Sequence, residues 1–174
     1  MCTAFSRLQG INYSKMHPDQ VRSTLAHARM HLNFVCSLYE EQIRGGRFFI
    51  HEHPTMATSW EEPAIRQLMK MQNVRVTKVD ACQYGMVGEY HGQDLPLRKP
   101  TKWMSNMRGV TDTLTKTCSG RDGMCSNDMQ HATCTGKKGQ HRRLFIHCSY
   151  ARRYSRASSC TFRRKECYMQ DVWE

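Results

Sequence analysis

Apolar residues recur every three or four positions between Pro18 and Arg44, through Val21, Leu25, Ala28, Leu32, Val35, Tyr39 and Ile43. That period defines one face of a helix, so the segment is predicted as a long helix with one buried side. Pro18 suits the first turn, where its missing N–H costs nothing, and Asp19 faces the positive end of the helix dipole. Gly45-Gly46 is the expected stop, because glycine takes the left-handed cap without a Cβ clash. Arg47-Phe48-Phe49-Ile50-His51 then reads as a short buried strand, with Glu52 at its carboxyl end and Pro54 closing it. A second helix is predicted over residues 60–71. Ser59 and Glu62 have capping-box spacing there, and Ile65, Leu68 and Met69 form the inner face. Residues 73–81 alternate through Val74, Val76 and Val79, as a strand does. A turn-rich stretch follows over 84–96, then a strand near 101–105 and a weaker helix over 110–116.

This order predicts an α/β fold: part of a doubly wound, mostly parallel sheet with flanking helices, followed by an irregular basic tail. Working groups in such sheets lie at the carboxyl ends of strands. Composition adds a division near Cys118, giving residues 1–117 as the α/β unit and 118–174 as a poorly ordered tail. Six of the nine cysteines fall in the second part, with few aliphatics.

The formal charge is +11, from 26 Lys and Arg against 15 Asp and Glu. Such a surface attracts polyanions, because each neutralised phosphate releases condensed counterions. DNA or RNA is therefore the expected partner. No apolar run approaches the roughly 20 residues needed to cross a bilayer, and Met1-Cys2-Thr3-Ala4-Phe5-Ser6 lacks the pattern of a signal peptide. The expectation is an intracellular protein, nuclear or cytoplasmic, whose thiols are mostly reduced.

Four short segments carry candidate chemistry: Cys2-Thr3-Ala4-Phe5-Ser6, Glu52-His53-Pro54, Cys82-Gln83-Tyr84-Gly85, and Arg98-Lys99-Pro100-Thr101-Lys102-Trp103. In this order and spacing they resemble the second half of the DNA cytosine-5 methyltransferases, particularly divergent viral and retroelement-associated relatives. The resemblance covers about residues 1–117. It implies that Cys2 is the thiolate that adds to cytosine C6, and that Glu52 steadies N3 and the exocyclic amine. It further implies that Ser6, Arg98, Lys99, Thr101 and Lys102 lie around the flipped nucleotide and its phosphate. Residues 3–14 would form the loop that closes over the base, and S-adenosylmethionine would be the methyl donor.

The match has gaps. Met1 stands where the family has a proline, and His53 replaces the usual asparagine. No Gly-x-Gly occurs in the sequence, so the pocket for S-adenosylmethionine is expected to be incomplete. The chain is accordingly expected to lack methyl transfer on its own, with a missing N-terminal half supplied by another chain or by sequence upstream of Met1. Two other readings stay open: a nucleic-acid-binding accessory module, and a cysteine hydrolase pairing Cys2 with His51 or His53.

In the tail, Cys118, Cys125, His131 and Cys134 have the number and kind of side chains that hold zinc, with Cys148, Cys160, Cys167, His141 and His147 in reserve. Their spacing, Cys-x6-Cys-x5-His-x2-Cys, matches neither a zinc knuckle nor a paired Cys-x-x-Cys ribbon. Basic clusters such as Arg142-Arg143 and Arg163-Arg164-Lys165, interleaved with Phe145, Tyr150, Tyr154 and Phe162, could instead hold a single strand through phosphate contacts and stacking. Disordered basic chain and a shifted reading frame give the same composition.

Overall fold

The structure is a computed structural model and describes residues 2–132, with only the backbone given for Cys2. Cys134 and the other tail cysteines, His141, His147 and the basic clusters of the tail lie outside the described residues.

The elements run as a 3-10 turn (Cys2–Phe5), α1 (Arg7–Tyr13), α2 (Pro18–Arg44), β1 (Ile50–Pro54), a 3-10 turn (Thr58–Glu61) and α3 (Pro63–Met69). After these come β2 (Arg75–Asp80), a 3-10 turn (Ala81–Tyr84), β3 (Val87–Tyr90), β4 (Gln93–Pro96), β5 (Pro100–Ser105) and α4 (Arg108–Thr113). The long helix has the predicted bounds. Pro18 sits in its first turn, and Gly46 takes the left-handed conformation just past its end, at φ 67°.

The sheet corrects the expectation of parallel strands. β5 lies between β1 and β2 and is antiparallel to both, with Ile50 opposite Ser105 on one side and Arg75 opposite Ser105 on the other. The helix–strand alternation along the chain was read as a succession of parallel crossovers. Instead β1 and β2 do share a direction, joined through α3, but the later strand separates them. A second antiparallel pair, β3 and β4, occupies the stretch read as turns, with His91 and Gly92 at its tip both at positive φ.

Two smaller corrections concern helix starts. The segment 58–61 is a 3-10 turn and α3 begins at Pro63, so Ser59 and Glu62 do not form a capping box. Ser59 is buried and shares a hydrogen bond with Nδ1 of His53, while Glu62 pairs with Arg29 of α2 at 3.1 Å. At the N-terminus, residues expected to form a loop fold into α1, capped by the Ser6 hydroxyl, which accepts from the Gln9 N–H.

The core lies between α2, α3 and one face of the sheet. Phe5, Ala28, Leu32, Cys36, Phe49, Trp60, Ile65, Leu68, Val74 and Met104 pack there, and Ile65, Leu68 and Met104 have no exposed surface. Full burial of each such side chain contributes about 1.5–3 kcal/mol. Residues 118–132 continue past α4 as an irregular segment laid back on the molecule. The Ala132 N–H donates to the Pro96 carbonyl, and the Cys118 N–H donates to the buried carboxylate of Asp80.

Candidate functional site

β1 carries three titratable side chains in succession. His51 and His53 point to the helical side, where both rings meet Trp60 and His51 also meets Tyr39. The Tyr39 hydroxyl and Nδ1 of His51 lie 3.3 Å apart, while Nε2 of His51 is buried without a partner. Burial, helped by neighbouring His53, pushes His51 down to about 4, so it is neutral at physiological pH.

Glu52 alternates to the other side of the strand and stands opposite Trp103 of β5. It sits in the middle of β1 rather than beyond its end, because the strand runs from Ile50 to Pro54. The carboxylate is half-buried, with Lys99 Nζ at 3.9 Å from Oε1. Burial raises its proton affinity and the lysine charge opposes that rise; burial prevails. The indole N–H of Trp103, across the ladder from Glu52, is buried with no acceptor. Directly opposed residues of antiparallel strands have Cβ atoms about 4.5–5.5 Å apart. A half-buried carboxyl group and an unused donor therefore share one patch of the sheet.

The remaining residues singled out in the sequence divide into two groups. Lys99 faces Glu52, and Lys102 lies over the Trp60 ring at 5.4 Å. Thr101 is buried and its hydroxyl donates to the Lys99 carbonyl, fixing the bend that leads into β5. Arg98 turns the other way. Its guanidinium donates to the carbonyls of Cys118 and Gly120, each at 3.3 Å, and lies 3.7 Å from Asp80, so it clasps the loop after α4.

Ser6 caps α1 and lines an open cleft of about 840 Å³ between α1, α2 and the turn after β1. Arg7, Tyr13, Arg29, Thr58 and Glu62 also line it, and Glu52 does not. The backbone of the 3-10 turn that contains Cys2 is tied to the segment beyond β1, since the Thr58 hydroxyl donates to the Phe5 carbonyl at 3.4 Å. No glycine-rich turn opens onto this cleft, and its lining offers no cradle for S-adenosylmethionine. This cleft therefore does not fit that cofactor.

A second cluster stands apart from β1. Cys82, Cys118, Cys125 and His131 bring one ligand-type atom each to within 4.8 Å of one another. The sequence nominated three of these four; its fourth nominee, Cys134, lies outside the described residues. Cys82 escaped because it lies far upstream, on the 3-10 turn after β2, and spacing along the chain carries no sign of that approach. Burial pushes the Cys82 thiol up to about 12. Burial acts the same way on Cys118, but backbone N–H groups of Gly120 and Ser126, the Ser126 hydroxyl and Cys125 outweigh it and bring Cys118 down to about 6.

No family model, curated protein or solved structure matches the chain. Its function has to be argued from its own residues. Among the described residues, no helix is long and apolar enough to cross a membrane.

Proposed function

We propose that residues 1–117 are the base-directed half of a DNA cytosine-5 methyltransferase-like protein, associated with nucleic acid and unable to transfer methyl groups by itself. The observation that carries this reading is Glu52: a half-buried acid whose proton is held more tightly than usual, with Lys99 beside it and the unpaired indole N–H of Trp103 across the ladder. A carboxyl group whose proton affinity is raised by burial is more often in the acid form that can deliver a proton to a ring nitrogen. Cytosine N3 is such an acceptor. As its N3 takes the proton, C6 becomes electrophilic enough for a thiolate to add, and the C5–C6 double bond moves its electrons into the ring. C5 then behaves as an enamine carbon, takes a proton from water, and loses its original hydrogen when elimination returns the thiolate. The turn that carries Cys2 packs through Phe5 on the helical side of the sheet, while Glu52 points to the other side. The Cys2 turn must therefore leave that packing for its thiolate to reach the base.

Exposed apolar residues support the idea that the sheet half acts beside further protein. Met30, Phe34 and Leu38 recur every four residues along the outer face of α2, 65%, 59% and 39% exposed, and Phe48 and Ile50 are exposed where β1 begins. Apolar stripes of this kind mark contact surfaces. The same surface would meet the portion that supplies S-adenosylmethionine.

The exchange step needs no methyl donor, so it gives a direct test. The full chain is incubated with an oligonucleotide tritiated at cytosine C5, and release of tritium to water is followed. Release is expected from the wild type, with none from Cys2→Ala and a drop of at least tenfold in Glu52→Gln. Oligonucleotide binding without tritium release would sink the catalytic reading. If that binding also weakened steeply with salt and vanished from a chain ending at Ala132, the accessory nucleic-acid-binding module would take its place.

A further inference from the structure

The cysteine–histidine cluster is independent of the methyltransferase reading and has its own geometry. Cys118 Sγ lies 3.7 Å from Cys125 Sγ and 3.7 Å from His131 Nε2. The sulfurs are too far apart for a disulfide, whose bond is about 2.05 Å long. They match a different object. Zinc–sulfur bonds of about 2.3 Å and zinc–nitrogen bonds of about 2.0 Å, at tetrahedral angles, put two sulfurs roughly 3.8 Å apart and a sulfur and a nitrogen roughly 3.5 Å apart.

Hydrogen-bond donors surround the sulfurs. The Gln83 side-chain amide points at Cys82 Sγ and Cys125 Sγ, at 3.6 and 3.5 Å. Backbone N–H groups of Gly120 and Ser126 point at Cys118. Gly120 is the residue that permits this turn, since a Cβ there would run into the Met124 carbonyl and the Cys125 backbone. Donors aimed at sulfur from three residues, Gln83, Gly120 and Ser126, satisfy a charged ligand and add little to a neutral one.

The loop has little apolar support of its own. From Cys118 to Ala132 its buried apolar residues are Cys118, Cys125 and Ala132, and Asp122, Gly123 and Asp128 all turn at positive φ. Fifteen residues with so small a core need a staple to hold one conformation. We propose that Cys82, Cys118, Cys125 and His131 bind one zinc ion as a closed structural site, which fastens the segment 118–132 to the turn after β2. Three thiolates and a neutral imidazole leave the zinc centre with one negative charge. Arg98 holds the same loop by the carbonyls of Cys118 and Gly120, its charge facing the buried Asp80 carboxylate at 3.7 Å. Soft sulfur ligands in a tetrahedron select zinc over magnesium or calcium, and four protein ligands leave no position for substrate.

The full chain is tested by metal analysis after purification and by titration of the stripped protein with cobalt(II). About one zinc per chain is expected, and cobalt should give tetrahedral ligand-field bands with thiolate charge transfer of three-sulfur intensity. Cys82→Ser and His131→Ala should each weaken the metal at least tenfold. A variant combining Cys134→Ser, Cys148→Ser, Cys160→Ser and Cys167→Ser should keep its full equivalent. If Cys82→Ser does not fold, that fourfold variant and the thiolate count of the wild type still decide the matter. Absence of bound metal, two-sulfur cobalt spectra, or loss of the metal in the fourfold variant would each overturn the proposal.

Discussion

Two regions of this molecule are held by different physics. The region of α2, α3 and the inner sheet face is packed in the ordinary way, with Ile65, Leu68 and Met104 sealed from water. The region around Asp80, Arg98 and the segment 118–132 has a smaller apolar interior, of Val79, Ala81, Leu97, Leu114 and Ala132. It relies on a buried carboxylate, a guanidinium shared among carbonyls, and a knot of sulfurs and one imidazole. Apolar contacts tolerate approximate geometry and add up with area. Polar clasps are directional, and each costs most when one partner is removed. The first region should yield gradually to substitution and the second abruptly.

The largest effect is expected in the apolar region. Leu68→Ala should cost about 2–5 kcal/mol, read from urea denaturation followed by Trp60 fluorescence. A loss under about 1 kcal/mol would show that the site collapses freely and that the core is not close-packed.

Acid offers the next test, because His51 is buried in the same region. Its proton affinity is lowered, so its contribution to stability is complete above the ordinary histidine value of 6.5 and is lost as pH falls towards about 4. The shift corresponds to up to about 3 kcal/mol. Denaturation midpoints measured from pH 7 to 4 should fall steeply in the wild type and less steeply in His51→Phe; parallel curves would show that another group controls the transition.

In the polar region, Asp80→Asn should cost about 1–3 kcal/mol by leaving the Cys118 N–H and Arg98 poorly matched. Hydrogen exchange separates the regions here. The amides of Cys118 and His131 should exchange faster, while that of Met104 should not. Equal acceleration at all three would make the molecule one cooperative unit and erase the distinction.

The smallest effect belongs to Glu52. Its proton affinity is raised, so the stability linked to it is complete below the ordinary carboxylate range and is lost as pH rises through its shifted value. Wherever the group is ionised, its burial opposes folding. Glu52→Gln should therefore raise Tm by about a degree or two while lowering tritium release. A fall in Tm would mean that the Lys99 pair outweighs burial.

Much of the apolar region was legible in the sequence. The three-and-four spacing from Val21 to Ile43 and the capping residues Pro18 and Gly46 identified α2, and alternation through Val74, Val76 and Val79 identified β2. Strand direction was not legible. Nothing local to Pro100–Ser105 says that it inserts between two earlier strands, since pairing is decided by which edges remain open after the helices dock. The β3–β4 hairpin was missed because Gly88, Gly92 and Pro96 look like turn residues. Gly88 lies in a strand because the Ala132 and Leu97 side chains close over it. The candidate chemistry divided in the same way. Glu52 and Lys99 were found as types in a pattern, and they do meet. The approach of Cys82 to Cys118 is a product of tertiary structure alone, and the packed chain continues past the compositional change at Cys118, through Cys125 to Ala132.

The position of β5 has a consequence for how the chain comes together. The two outer strands are made first, and neither has a ladder partner until Pro100–Ser105 has been synthesised. During translation the backbone amides of Ile50–Pro54 and Arg75–Asp80 wait unpaired while α2 is already able to form from local contacts. Closure of the sheet is therefore a late event with long sequence separation, the kind that sets the folding rate and leaves the nascent chain open to wrong pairings.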